Sequence, residues 1–269
     1  GDGRVDQAIY RKGEWHLNRS TLGYAVVPFG LATDQPVPAD YDGDGKTDIA
    51  VFRPSSGTWY WYNSGSQTFA QRQWGATGDI PVPADQDADN KADLIVFRPS
   101  DTKWYALRSA DNTFGTTTFG SATDKPLIGD FDGDKQYDIG VFRPSDNNWY
   151  ILKSSSGFTA QEWGAAGDIP APADYDGDRV TDIGVFRPSS GQWFIILSGS
   201  GSFKSANWGV NADIPIPADY DGDGSADIAV YRPSAGMWYM IRSRDGLISL
   251  PFGTAEDIPT PAAYIVSSP

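Results

Sequence analysis

Short apolar runs recur along the chain about every 45 residues, and each of them ends in Arg-Pro-Ser. The five runs are residues 49–52, 94–97, 139–142, 183–186 and 228–231. Runs of this length, rich in Val, Ile and Phe and bounded by turn-forming residues, predict β-strands rather than helices. Their regular spacing predicts an all-β repeat protein.

Each repeat carries the signals of four strands. A short Pro-Val-Pro-Ala segment precedes the apolar run, which is followed by a Pro-Ser-x-Gly turn, an aromatic strand that begins Trp-Tyr, and a last strand that ends at Trp-Gly or Phe-Gly. Segments rich in Gly, Ser and Asn separate the strands and predict tight turns. Proline is tolerated in the first strand if that strand is short and borders a central channel. Aligned in this way, the chain divides into units 34–78, 79–123, 124–167, 168–212 and 213–256.

The two ends of the chain are complementary parts of a sixth unit. Residues 257–269 begin a unit with Asp-Ile-Pro, whereas residues 1–33 supply the apolar run and the aromatic strand that this unit lacks. A closed ring needs such complementary ends, and an open solenoid does not. We therefore predict a single all-β domain, residues 1–269, folded as a six-bladed β-propeller of four-stranded antiparallel blades. The closing blade combines residues 257–269 with residues 1–33.

An aspartate cluster precedes each of the five apolar runs, with Asp at positions 1, 3, 5 and 9 of a loop. The clusters are Asp40, Asp42, Asp44 and Asp48; Asp85, Asp87, Asp89 and Asp93; Asp130, Asp132, Asp134 and Asp138; Asp174, Asp176, Asp178 and Asp182; and Asp219, Asp221, Asp223 and Asp227. Four carboxylates in so short a segment repel one another unless a cation lies among them. Hard oxygen ligands at this spacing, with a backbone carbonyl plausible at position 7, favour Ca²⁺, whereas one His and no Cys disfavour Zn²⁺. The alternative, a solvated acidic turn, is disfavoured by five copies in register.

The net charge of −14 arises mostly from these clusters, which hold 20 of the 35 acidic residues. Five bound Ca²⁺ ions would bring the net charge to about −4. No basic stripe exists, so nucleic-acid binding is not expected, and no stretch approaches the length of a transmembrane helix. Weak calcium sites are typical of extracellular modules, so we predict a secreted or cell-surface monomer that does not insert into a membrane. Residue 1 falls within a repeat, so we expect no signal peptide here and interpret the chain as a processed or excised fragment.

Three columns of residues recur in all six units. The third strand carries Trp15, Trp59, Trp104, Trp149, Trp193 and Trp238, followed by His16, Tyr60, Tyr105, Tyr150, Phe194 and Tyr239. Adjacent strand residues face opposite sides, so both columns are expected to pack between blades. The third column is Arg11, Arg53, Arg98, Arg143, Arg187 and Arg232. We expect these arginines to pair with a repeated Asp, such as the one that opens each unit, or to stack on a repeated aromatic ring.

Taken together, these residues resemble the FG-GAP or VCBS-type repeat, in which an Asp-x-Asp-x-Asp-Gly-x-x-Asp loop lies within a blade hairpin. Such repeats build the propeller of integrin α chains and occur in many secreted bacterial proteins, and the resemblance covers essentially the whole chain. It implies a Ca²⁺ ion between the first and second strands of a blade. It also implies a ligand from the backbone carbonyl at position 7, which is Lys46, Lys91, Gln136, Val180 or Ser225.

The chain departs from this family pattern at several points. Asn90, Lys135 and Arg179 replace Gly at position 6, where a left-handed backbone is favoured, so those sites are expected to be weaker or differently turned. In the closing unit, positions 1 and 3 fall at Ala263 and Ile265, which leaves only Asp2 and Asp6 as ligands. We predict no well-formed calcium site there. Family propellers often have seven blades, whereas this chain supplies six.

The predicted function is that of a calcium-stabilised binding or adhesion module, with a glycan or protein ligand at the loop face. The units differ most in loops 64–67, 109–112, 154–157, 198–202 and 243–246, and propellers bind partners through loops on one face. If the ligand is a glycan, the candidates for stacking on sugar rings are Trp74, Trp163 and Trp208. Packing of outer strands is the favoured role for these three, because Phe29, Phe119 and Phe252 replace them in the other units. A structural spacer within a larger secreted protein fits the same features.

A propeller-based polysaccharide lyase or glycosidase is the alternative that would make the chain an enzyme. Such chemistry needs a base or a pair of carboxylates held at a fixed separation. Outside the repeated positions, the acidic candidates are Glu14, Glu162, Glu256, Asp101, Asp111, Asp146 and Asp245, and they are scattered along the chain. His16 replaces a Tyr in the aromatic column, which favours a packing role. We therefore predict no catalytic residue.

Overall fold

Six four-stranded sheets account for the secondary structure of residues 3–261, the part of the chain that the computed structural model describes. The closing blade contains β1 (Gln7–Arg11), β2 (Glu14–Arg19), β3 (Gly23–Pro28) and β24 (Ile258–Pro259). Blade 1 contains β4 (Gln35–Pro36), β5 (Ile49–Arg53), β6 (Thr58–Asn63) and β7 (Thr68–Gln73), and blade 2 contains β8 (Ile80–Pro81), β9 (Leu94–Arg98), β10 (Lys103–Leu107) and β11 (Phe114–Thr118). Blade 3 contains β12 (Lys125–Gly129), β13 (Asp138–Arg143), β14 (Asn148–Lys153) and β15 (Gly157–Glu162). Blade 4 contains β16 (Ile169–Pro170), β17 (Ile183–Arg187), β18 (Gln192–Ile196) and β19 (Phe203–Asn207), and blade 5 contains β20 (Ile214–Pro215), β21 (Ile228–Arg232), β22 (Met237–Arg242) and β23 (Gly246–Pro251).

The strands of each blade are hydrogen-bonded in antiparallel order, and in blades 1 to 5 that order is the order of the chain. The closing blade has the order β24-β1-β2-β3, because Ile9 pairs with Pro259 and Tyr10 with Ile258. The predicted six-bladed propeller and its closure by the two ends of the chain are therefore confirmed. No α-helix forms between residues 3 and 261, and hence no helical segment there could span a membrane.

The first strand of blades 1, 2, 4 and 5 is shorter than the sequence predicts. In blade 1, the strand covers only Gln35–Pro36, and pairing resumes at an isolated bridge between Ala39 and Asp48, the residue before β5. The interruption falls at Pro38, which has no backbone N–H to donate. Blade 3 has Ile128 at the equivalent position, and there the strand runs unbroken through five residues. The last strand also ends earlier than predicted, one residue before the Trp or Phe that precedes Gly.

The tryptophan column forms the centre of each blade. Trp59 is fully buried, its ring lies 5.3 Å from that of Phe52, and its Nε1 donates to the Trp74 carbonyl at 2.7 Å. The neighbouring column is half-buried except at His16, which is buried, and Tyr60 packs between blade 1 and the closing blade. Both columns therefore pack between blades, and the tryptophans are the more enclosed.

Five of the six recurring arginines make both of the predicted interactions. Arg53 donates from Nε and Nη2 to the two carboxylate oxygens of Asp34, at 2.9 and 2.8 Å, and its guanidinium lies 4.4 Å from the centre of the Tyr60 ring. The Asp34 side chain has no exposed surface, and the same pairing occurs in all six blades. In the closing blade, Arg11 pairs with Asp257 and so joins β1 to the far end of the chain.

Candidate metal centres

Three of the four aspartates in each acidic loop converge. One carboxylate oxygen from each of positions 1, 3 and 9 lies within 4.8 Å of the others in five groups, which are Asp40, Asp42 and Asp48; Asp85, Asp87 and Asp93; Asp130, Asp132 and Asp138; Asp174, Asp176 and Asp182; and Asp219, Asp221 and Asp227. The loops join the first and second strands of blades 1 to 5. This is the placement that the family resemblance implied.

The position-1 carboxylate shapes the loop around itself. The two oxygens of Asp40 accept the N–H groups of Gly43 and Gly45 at 2.7 and 2.8 Å. The position-6 residue donates in the same way in all five loops, even where it is not glycine. Lys135 and Arg179 adopt the left-handed conformation with φ of 72° and 70°. The expectation that these loops turn differently is therefore wrong, because the hydrogen bond to position 1 holds a side-chain-bearing residue in a conformation that suits glycine.

In blades 1 to 4, the position-9 carboxylate is the most enclosed of the three. Asp48 is 1% exposed, and its oxygens accept the N–H groups of Tyr41 at 2.9 Å and Ser64 at 2.6 Å. Burial raises the pKa of this carboxyl to about 6 in each of the five loops. A carboxylate that is costly to charge in the empty loop gains from a bound cation.

The position-5 carboxylate lies outside each triad and has hydrogen-bond partners of its own. Asp44 accepts the N–H of Lys46 at 2.9 Å and the hydroxyl of Ser64 at 3.0 Å. The same bonds recur in the other loops, so Asp44, Asp89, Asp134, Asp178 and Asp223 brace the loop rather than join the triad. The position-7 residues Lys46, Lys91, Gln136, Val180 and Ser225 contribute their N–H groups to this brace, and their carbonyls as ligands remain a prediction.

A serine column that sequence reasoning missed holds the loop in place. Ser64, Ser109, Ser154, Ser198 and Ser243 each donate a backbone N–H to position 9, at 2.6 to 2.7 Å, and a hydroxyl to position 5. The signal was present in the sequence, because a serine stands 16 residues after every position-9 aspartate. The repeated serine is the first residue of each loop that differs between units, and the differences in the rest of the loop obscured it.

Several carboxylate oxygens of the triads are buried without a hydrogen-bond donor. They are both oxygens of Asp87, Oδ1 of Asp132 and Oδ1 of Asp221, a residue with no exposed surface. Buried polar atoms are ordinarily paired, and a carboxylate oxygen can be satisfied only by a donor or a cation. All-oxygen donors suit a hard cation such as Ca²⁺. The residues present therefore fit the ion that the sequence predicts.

The acidic loops lie where one blade meets the next. The N–H of the position-8 residue donates to the carbonyl of the position-1 aspartate in the preceding blade. The pairs are Ala92 to Asp40, Tyr137 to Asp85, Thr181 to Asp130, Ala226 to Asp174 and Val5 to Asp219, at 2.6 to 3.1 Å. The candidate metal centres are thus part of the contact between blades.

In the closing blade, Asp6 keeps one feature of a metal loop. It accepts the N–H of Ser20 at 2.7 Å, as Asp48 does from Ser64. Asp2, Ala263 and Ile265 lie outside the described residues, so the prediction for this site is not tested. Within residues 3–261, the five triads of blades 1 to 5 are the acidic groups that could hold a metal.

The three tryptophans that are candidates for stacking on sugar rings lie at the outer part of the contacts between neighbouring blades. Trp74, Trp163 and Trp208 are half-buried, and each Nε1 donates to a carbonyl of the next blade, at 3.4, 3.2 and 3.1 Å. These bonds assign them the packing role that the sequence favoured. These hydrogen bonds involve the indole N–H groups and not the outer faces of the rings.

Most of the scattered acidic candidates have local partners. Asp101 and Asp146 accept from the hydroxyls of Tyr105 and Tyr150, Asp111 from Thr113, Glu256 from Lys12, and Asp245 from Arg244. His16 is buried, with Nδ1 2.7 Å from the Tyr24 hydroxyl and Nε2 3.8 Å from Glu14. It lies in the aromatic column between blades.

The six blades and their acidic hairpin loops define a β-propeller of repeated sequence units. Residues 40–96 match the model of the FG-GAP-like repeat. The fold is thus a six-bladed β-propeller, and its segment 40–96 is similar to the FG-GAP-like repeat, in agreement with the resemblance found in the sequence. No curated protein matches the sequence significantly.

Several solved structures share this fold at low sequence identity. TolB from Acinetobacter baumannii aligns with a TM-score of 0.66 over 96% of this chain and 67% of that chain, at 12% identity. A catalytically inactive virginiamycin B lyase from Staphylococcus aureus, with quinupristin, aligns with a TM-score of 0.58 over 94% and 87%, at 9% identity. An Agrocybe aegerita lectin that recognises non-reducing terminal N-acetylglucosamine aligns with a TM-score of 0.55 over 97% and 90%, at 15% identity. At these identities the similarity concerns the fold alone.

Proposed function

We propose that the protein is an extracellular, non-catalytic binding module whose five acidic loops each hold one Ca²⁺ ion. The observation that carries this proposal is the triad of enclosed carboxylates, with buried unpaired oxygens, at five equivalent positions. Positions 1, 3 and 9 are the residues that would hold the ion. When bound, Ca²⁺ supplies the positive charge that offsets repulsion among these carboxylates.

The loops that differ between blades are attached to the acidic loops, which links the ion to the binding surface. Gly65 donates its N–H to Asp42 at 3.0 Å, and the hydroxyl of Ser155 donates to Asp132 at 2.7 Å. In blade 5, the N–H groups of Arg244 and Asp245 donate to Asp221. An ion that fixes position 3 therefore orders the variable loop above it, and this face is where we place a glycan or protein ligand.

Two further observations support an extracellular and non-catalytic role. FG-GAP repeats are typical of extracellular proteins, where weak calcium sites are filled. Most of the acidic side chains outside the repeated positions are engaged by neighbouring hydroxyls or cations. A lyase or glycosidase needs groups free to act on a substrate.

The proposal is tested by calorimetric titration of Ca²⁺ into chelator-stripped protein. We expect about five equivalents, and about four for the variant in which Asp132→Asn and Asp138→Asn empty the loop of blade 3. The matched control is Asp146→Asn, which removes a carboxylate outside the loops and should leave the stoichiometry unchanged. Binding of one equivalent or none would overturn the calcium role.

A further inference from the structure

An apolar side chain is exposed at one equivalent position of the outermost strand in every blade. The six residues are Tyr24, Phe69, Phe114, Phe158, Phe203 and Leu247, with exposures of 54 to 72%. Each lies opposite the residue three places after the buried tryptophan, as Phe69 lies opposite Tyr62. A single exposed apolar residue is ordinary, but six in register are not explained by the core.

The contact between two neighbouring blades is called a seam here. In two of the six seams, the exposed aromatic ring packs at an angle against a tryptophan of the preceding blade. Seam A contains Trp74 and Phe114, with ring centres 6.1 Å apart and an interplanar angle of 53°. Seam B contains Trp163 and Phe203, at 5.7 Å and 68°. The hydrogen bonds of Trp74 and Trp163 to the next blade hold both indole rings in place, so the tryptophan in each ring pair is rigid. In seam B, Phe194 also stacks on one face of Phe203, at 6.2 Å and 22°.

Neutral hydrogen-bonding side chains continue the same surface. Residues two and four places after an outer-strand aromatic face the same side of the strand. These are Thr116 and Thr118 in seam A, and Ser205 and Asn207 in seam B, and all four are exposed. The outermost strand of the preceding blade lines the other side of each seam. Gln161 lies opposite Trp149 and faces seam B, whereas Arg72 lies opposite Trp59 and faces seam A.

We propose that seams A and B are carbohydrate subsites, each taking one neutral pyranose ring. This inference rests on the proposed function as a non-catalytic binding module and names the ligand class. A pyranose has an apolar C–H face that can stack on the exposed aromatic ring and a hydroxyl edge that can bond Thr, Ser, Asn and Gln. Seam B carries no charged group among these residues, and the net charge of the protein stays negative, at about −4, even with five Ca²⁺ ions bound, which disfavours an anionic polymer.

The dimensions of the seams favour a sugar over a protein partner. Each seam offers one exposed ring with polar neighbours, which is smaller than the contiguous surface of a stable protein interface. Single subsites of this size bind weakly, so a glycan that reaches two seams, or a surface that displays many sugars, gains affinity through multivalency. Seam A lies between blades 1 and 2, and seam B between blades 3 and 4.

The chain contains its own comparison for the role of the ring. The seam between blades 4 and 5 retains Trp208, but Leu247 replaces the exposed aromatic residue. Leu247 is 68% exposed, close to the 72% of Phe114, so truncation of either side chain removes a similar kind of apolar surface. Only the truncation of Phe114 removes an aromatic face.

The test uses the calcium-loaded protein on an array of neutral oligosaccharides, followed by titration calorimetry with the strongest hit. We expect the double variant Phe114→Leu, Phe203→Leu to bind at least tenfold more weakly, because it retains apolar bulk and loses both rings. Leu247→Ala should bind as the unchanged protein does. The melting temperatures should agree among the three proteins, since all the substituted side chains are exposed.

Three results would overturn the proposal. They are an array without hits, hits that the double leucine variant retains, and self-association in light scattering that the variant abolishes, which would make the seams contacts between copies. The calcium titration is independent of these outcomes. Five equivalents with a silent array would remove the carbohydrate subsites and leave the calcium role intact, whereas no calcium uptake would remove the proposed function whatever the array shows.

Discussion

The two faces of the propeller are fastened by different chemistry. On the turn face, where the second strands end, six arginines pair with six buried aspartates, including the pair in the closing blade. On the loop face, where the second strands begin, five blades carry groups of carboxylates without a cationic side chain in the triad. On the turn face both partners of each ion pair belong to the chain, whereas on the loop face the proposed partner is a calcium ion from solution. Under that proposal, one sequence repeat builds one face that is complete in itself and one that responds to calcium.

Removal of calcium is expected to have the largest effect, and to act on one face only. An ion present at 100-fold above its dissociation constant stabilises the fold by about 2.7 kcal/mol per site, so EGTA should lower the melting temperature by more than about 10 °C if several sites empty. Hydrogen exchange should rise in the acidic loops and remain slow in the Arg-Pro-Ser turns. An unchanged melting temperature, or equal exchange on both faces, would contradict the comparison.

Loss of a turn-face arginine is expected to be the next largest effect. Arg143→Met leaves the buried Asp124 carboxylate without its cation, which should cost about 3 to 5 kcal/mol in urea unfolding. Arg11→Met should cost at least as much, because Arg11 also ties β1 to residue 257. The control is Arg143→Met combined with Asp124→Asn, which removes the unpaired charge and should recover part of the loss. A cost below 1 kcal/mol for both single variants would mean that the turn face is held by packing alone.

The pH dependence should have opposite signs with and without calcium. Burial raises the pKa of the position-9 aspartates to about 6, so in EGTA the folded state favours their protonated form. That contribution is fully present below the ordinary pKa of about 3.8 and is lost as the pH rises through 6. Calcium binds the charged form, so the stabilisation by calcium should grow between pH 5 and pH 7. Melting curves recorded in calcium and in EGTA across this range should diverge, and parallel curves would contradict the prediction.

The smallest expected effect concerns the position-6 residue of the acidic loops. Lys135→Gly relieves a left-handed lysine and should stabilise the calcium-loaded protein by about 1 kcal/mol. Gly45→Lys is the matched reversal and should destabilise by a similar amount, because a Cβ at Gly45 meets no atom within 4 Å and only the backbone conformation opposes it. Urea unfolding measures both. Equal stability of the two variants and the unchanged protein would show that the loop tolerates either residue without strain.

The features that repeat exactly in residue type were predictable from the sequence. Ring closure followed from the complementary ends, and the pairing of Arg53 with Asp34 followed from the recurrence of both residues. The convergence of positions 1, 3 and 9 followed from their spacing. The place of the position-5 carboxylate did not follow from the spacing, because this carboxylate accepts a hydrogen bond from a serine 20 residues further along the chain. A bond between two loops is not visible in the pattern of either loop.

The remaining errors have local causes. The first strand was predicted too long because Pro38 reads as an ordinary member of a short strand, and its missing N–H ends the pairing. The exposed column that includes Phe69 and Phe114 was not singled out, because alternation along the outermost strand does not reveal which side a neighbouring blade leaves uncovered. Such surfaces become visible only when the blades are assembled.

The hydrogen bonds that connect successive acidic loops have a mechanical consequence. The carbonyl that accepts from the next blade belongs to the same aspartate whose side chain opens the triad, as in the bond from Ala92 to Asp40 at 2.7 Å. A force that peels two blades apart therefore pulls directly on the loop that would coordinate the ion. If the loops hold calcium as proposed, we expect a loop to resist this force when the ion is bound and to yield first when the ion is absent. The ring would then carry tension in calcium-rich surroundings and slacken where calcium is scarce.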